Sequence, residues 1–175
     1  MTNTHAHLKD HMWSAVEAST RHVDEGGLPF VGVVVDASGI VSCFGVNEVQ
    51  RTHDPSAHAE IVAMRDAMST LDRESLAGTM LLATGEPCGL CYRFAIDHGI
   101  DTIYTALDRD IVARWGFDYR GSYPAMGITD DTRDRLLHHL TTDNADEPFV
   151  RYLEKHSPRG TDARALIEHL KGQPS

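Results

Sequence analysis

The chain is 175 residues long, 41% hydrophobic and 24% charged, the balance of a soluble domain that buries a core without disulfide staples. Its formal net charge of -10, from 16 Lys and Arg against 26 Asp and Glu, argues against an extended nucleic-acid footprint and favours a small, neutral or weakly polar ligand. No apolar run is long enough to span a membrane and the first residues lack a secretory layout; with three cysteines that read as free thiols, a cytoplasmic protein without membrane partners is expected.

In chain order, Leu8, Met12, Ala15 and Val16 have helical spacing over residues 8–23, with Trp13 near the same stripe. Gly26, Gly27 and Pro29 end that helix. The run from Phe30 to Val35 is β-branched and nearly continuous, as in a strand covered on both faces. Turn chemistry at 36–39 leads to a partner strand over 40–46, with Cys43 expected as a buried thiol. Residues 47–57 read as a loop whose Ser56 could cap the next helix. Ala59, Ile61, Val62, Met64, Ala67 and Met68 supply that helix's buried side. After Gly78 come a strand over 80–84, a turn at Gly85, Glu86 and Pro87, a helix over 88–98 and a strand over 101–106. A short helix near 111–114 precedes the aromatic stretch Trp115-Gly116-Phe117-Asp118-Tyr119. Beyond Tyr123 and Pro124 the pattern turns helical at 130–141, 147–156 and 162–171, with a hinge-like break at 157–160. Helices alternating with strands mean a sheet covered by helices. His5, His7 and His11 read as a mobile, solvated start, and His138 and His139 as a polar helix surface.

Three residues carry the chemistry. Cys88 and Cys91 form Cys-x-x-Cys at a predicted helix start, where two thiolates can point at one ion and free N–H groups favour negative sulfur. His58 begins another predicted helix, two residues before Glu60. Two thiolates and an imidazole suit Zn²⁺. A structural zinc is usually closed by four protein ligands, whereas a catalytic zinc keeps one position for water; three ligands without an obvious fourth point to a working metal. Zinc lowers the pKa of bound water to roughly 7, and Glu60 is placed to move protons as general acid and base. Taken alone, Cys-x-x-Cys also fits a redox pair or half of a zinc knuckle. Glu86 suits either an acceptor behind the metal residues or a charge at a helix start.

His58-Ala59-Glu60 followed by Pro87-Cys88-Gly89-Leu90-Cys91 resembles the cytidine-deaminase-like zinc deaminases, over residues 8 to 122. The resemblance implies a three-layer α/β fold with a mixed sheet, Zn²⁺ on His58, Cys88 and Cys91, and Glu60 as proton carrier. Asn47 and Phe30 match the nucleobase branch, where such residues contact the bound ring. Ala57, beside the zinc histidine, joins them as a candidate contact, as do Trp115, Asp118 and Tyr119. The stretch from Gly116 resembles that of guanine deaminases, although Tyr119 stands where they carry a second Asp. Gly89 departs from the Pro-Met pair of base deaminases. The expected substrate is an amino-substituted purine or related heterocycle. A cytosine, cytidine or other nucleoside substrate, a transfer-RNA adenosine and a non-catalytic zinc module remain as alternatives. Residues 1–122 are expected to form the deaminase domain. Residues 123–175 form extra C-terminal helices that pack on it or on a second subunit of a homodimer.

Overall fold

In β1 (Val31–Asp36), Val33 and Val35 face one side and Val34 the other, and all three are buried. β4 (Met80–Gly85) divides in the same way, with Leu82 on the first face and Leu81 on the second. Strands apolar on both faces belong inside a layered sheet. The computed structural model describes residues 2–157 and 163–172 and places these strands at the centre of a mixed sheet. The sheet runs β2 (Gly39–Ile40), β1, β4, β5 (Thr102–Leu107) and β6 (Leu137–His139), with β3 (Gly45–Val46) also pairing β1. β1 is antiparallel to β2, β3 and β4, whereas β4, β5 and β6 run parallel.

Helices cover both faces. On the first lie α1 (Thr2–Asp24) and α8 (Glu147–His156), where Leu8, Met12 and Val16 meet Val33, Leu82 and Phe149. On the second lie α3 (Ala59–Thr70) and α4 (Gly89–Asp97), whose Ile61, Met64 and Tyr92 pack among Val34, Leu81 and Ile103. Short helices α2 (Val49–Thr52), α5 (Arg109–Arg114), α6 (Ser122–Ala125) and α7 (Asp130–Leu136) occupy the connections, and α9 (Ala163–Lys171) packs on α8. α3 crosses β3 at Gly45, where a Cβ would run into the Ala59 carbonyl and the Ala63 N–H. That contact fixes the height of the helix start carrying His58 and Glu60.

Four local expectations are corrected. The partner strand over 40–46 splits into β2 and β3, because the Ser42 hydroxyl takes the Val34 N–H at 2.8 Å and Asp66 takes the Cys43 N–H at 2.5 Å. Cys43 consequently lies exposed rather than buried, and partial burial with the Asp66 carboxylate pushes its thiol up to about 11. Ser56 does not cap α3; its hydroxyl donates to Asp54 at 2.6 Å and accepts from Arg65 at 2.9 Å. The helix expected over 130–141 stops at Leu136, because residues 137–139 continue as β6 and pair with β5. The start that carries His7 and His11 lies in the first turns of α1, with His7 exposed and Leu8 and Met12 buried. The His5 side chain and residues 158–160 of the hinge-like break lie outside the described part.

Candidate metal centre and cavity

His58 and Cys88 stand in extended conformation at the N-cap positions of α3 and α4, and neither side chain caps its helix. Both side chains therefore converge on the space between the two helix starts. There the N–H ends of the two helix dipoles favour negative charge. His58 Nδ1 lies 3.4 Å from Cys88 Sγ and 3.5 Å from Cys91 Sγ, and the sulfurs are 3.6 Å apart. Tetrahedral zinc, with bonds of about 2.0 Å to nitrogen and 2.3 Å to sulfur, sets N···S at about 3.5 Å and S···S at about 3.8 Å. The three atoms thus stand close to three corners of a zinc tetrahedron. Among the described residues they form the one cluster of three or more such side chains able to hold a metal ion.

Glu60 stands beside this triangle, its Oε2 accepting from the Cys91 thiol at 3.3 Å. Burial, reinforced by the Cys88 thiolate, pushes its carboxyl up to about 7. The hydrogen bond from Cys91 holds Cys88 down at about 4, while burial pushes Cys91 well up. The hydrogen bond with Cys88 raises His58. One thiolate is thus ready before any cation arrives, and a dication offsets the cost of the second.

A cavity of about 180 Å³ opens on the group, walled also by Leu28, Phe30, Asn47, Glu86 and Tyr119. Phe30 is held edge-on by Phe117 at 5.1 Å and Phe149 at 5.5 Å between ring centres. Asn47 Oδ1 accepts the Val49 N–H at 3.2 Å. Tyr119 donates its hydroxyl to the Glu86 carbonyl.

The other candidates stand outside the cavity wall. Ala57 is buried, its N–H donating to the Asp54 carbonyl at 3.0 Å and its carbonyl accepting from the Glu48 N–H at 2.8 Å. Trp115 packs on Phe149 in the first core. Asp118 is exposed and gripped by Arg120 at 2.7 and 2.8 Å. Leu28 was not singled out by the sequence. Glu86, weighed there between two roles, is a buried acceptor whose partner Arg133 sits in a stretch that reads as a plain helix.

The sequence model of the cytidine and deoxycytidylate deaminase zinc-binding region matches residues 6–107, more than half of the chain. The tRNA-specific adenosine deaminase of Aquifex aeolicus is 32% identical over 96 residues, which cover 54% of this chain but only 63% of that relative. The guanine deaminase of Bacillus subtilis is 29% identical over 136 residues, covering 77% of this chain and 86% of the relative. Among solved structures, the guanine deaminase from Nitrosomonas europaea superposes with a TM-score of 0.67 at 27% identity, covering 83% of this chain and 82% of that one.

Proposed function

The chain belongs to the cytidine and deoxycytidylate deaminase zinc-binding family, and from that premise we propose that it is a zinc-dependent hydrolytic deaminase of an amino-substituted purine or related heterocycle. The observation that carries this reading is a buried Glu60 carboxyl beside a three-ligand zinc triangle, both opening on one small cavity. Zinc held by His58, Cys88 and Cys91 supplies the Lewis acidity that makes water nucleophilic near neutral pH. Water oxygen adds to the amino-bearing ring carbon. Glu60 carries one of its protons to the ring nitrogen and the other to the amine; the C–N bond then breaks, ammonia leaves and a carbonyl remains. In the metal-free protein burial raises this carboxyl, which favours its holding a proton that it can then return.

The ring is oriented by the NH₂ of Asn47, whose oxygen is already engaged, and held between Phe30 and Tyr119. Ala57, Trp115 and Asp118 act indirectly by bracing the segments that carry Asn47, Phe30 and Tyr119. The cavity volume, about six waters' worth, fits a free base better than a base with its sugar. Similarity to two guanine deaminases over most of the chain favours a purine. The Aquifex relative suggests transfer RNA, but the net charge of -10 opposes a phosphate-backbone partner. Residues 1–122 carry the chemistry and 123–175 brace it, in a cytoplasmic homodimer.

The test is ammonia release by zinc-loaded protein on a panel of guanine, guanosine, adenine, adenosine, cytosine, cytidine and an aminotriazine. Release that vanishes in a folded, zinc-retaining Glu60→Gln variant is expected. Silence across the panel at one zinc per chain would remove the reading for these substrates.

A further inference from the structure

We propose that Arg133 is a positioning residue for the metal centre, acting through its ion pair with the buried Glu86. The turn at residues 86–89 joins β4 to α4 and sets where Cys88 and Cys91 point. Arg133 Nε donates to Glu86 Oε1 at 2.6 Å, and the Arg109 N–H donates to Oε2 at 2.9 Å. The Tyr92 hydroxyl reaches Oε1 at 3.3 Å. The main chain of the turn is gripped as well. Tyr119 donates to the Glu86 carbonyl, Tyr123 donates to the Pro87 carbonyl at 2.9 Å, and the Gly89 N–H donates to Ser122 Oγ at 2.8 Å. A Cβ at Gly89 would collide with the Ser122 carbonyl, so this approach needs glycine between the cysteines.

The Glu86 side chain has no exposed surface and that of Arg133 is 11% exposed, so their attraction is little screened by water. Arg133 also lies over the Tyr123 ring, 5.6 Å from its centre. Glu86 stands two residues before a metal ligand, and its carbonyl holds Tyr119, which walls the cavity. Displacing Glu86 therefore moves ligand and wall together. The family match ends at residue 107, so this brace comes from a part of the chain the match does not cover.

The inference rests on the zinc reading of the site, and its test reads zinc retention besides activity. Full-length holoprotein is challenged with excess chromophoric chelator, and the melting temperature of the metal-free protein is followed by circular dichroism. Arg133→Gln is expected to release zinc about 10–100-fold faster, the scale found for partners that orient metal ligands, and to lower kcat with KM nearly unchanged. Arg133→Lys, which restores the charge, should recover part of both. Adding Glu86→Gln to Arg133→Gln removes the uncompensated buried charge and should restore melting temperature without restoring zinc retention.

Zinc release by Arg133→Gln within about twofold of the parent, with only the melting temperature lowered, would overturn the proposal. If Arg133→Gln does not fold, the double variant Glu86→Gln/Arg133→Gln decides: faster zinc release than the parent supports the brace and parent-like release overturns it. Should the parent release no ammonia from any heterocycle while Arg133→Gln still sheds zinc faster, the deaminase reading falls and the positioning role stands.

Discussion

Glu60 combines a buried carboxyl with a position against two thiols, and its titration has a consequence for stability. The folded, metal-free protein holds this proton more tightly than the unfolded chain, whose ordinary value is 4.5. The stabilisation is therefore complete below about 4.5 and is lost as pH rises to about 7. At 1.36 kcal/mol per unit this amounts to about 3 kcal/mol. Metal-free protein should lose melting temperature across that window, and Glu60→Gln should flatten the profile; an unchanged slope would contradict the assigned burial. Asn47→Ala should lower kcat/KM about fivefold to tenfold, the scale of one hydrogen bond, with the loss mostly in KM. His58, Glu60, Cys88 and Cys91 were legible because two short motifs at helix starts carry them. Glu86 and Arg133 meet across 47 positions, and nothing in either neighbourhood names the other.

At the scale of elements, the placement of α3 decides the site. Gly45 lets this helix ride against the sheet, and Gly45→Ala should drive Ala59 and Ala63 outward. A loss of about 1–3 kcal/mol is expected from such overpacking, read as a lower melting temperature together with faster zinc release. A variant as stable as the parent would mean that the helix shifts freely. The central strands and the two long site helices were legible from apolar periodicity. The break between β2 and β3 was not, because Ser42 and Asp66 displace ladder bonds through side-chain contacts that no hydropathy pattern carries. β6 was missed for a related reason: Leu137, His138 and His139 join the sheet because β5 offers an unpaired edge.

Across the whole molecule, the C-terminal segment completes the sheet, shelters the α1 face and grips the metal turn. Ending the chain after residue 122 should expose the edge of β5 and the surface beneath Phe149, so the product is expected to aggregate or lose its circular dichroism signal. A monomeric, cooperatively melting fragment would show that the first 122 residues need no brace. The mixed sheet covered on both sides was legible as an order of elements. That its last strand returns from a helical-looking tail was not.

The outer strands have one more effect. β2 and β3 contribute two residues each and β6 three, the last bearing exposed His138 and His139. Such short borders give an incoming chain almost no row of amide groups to zip onto. Crowded copies of this protein should therefore resist ribbon-like stacking, and any lasting pair must be joined through helical or loop surfaces, leaving the sheet private to each chain.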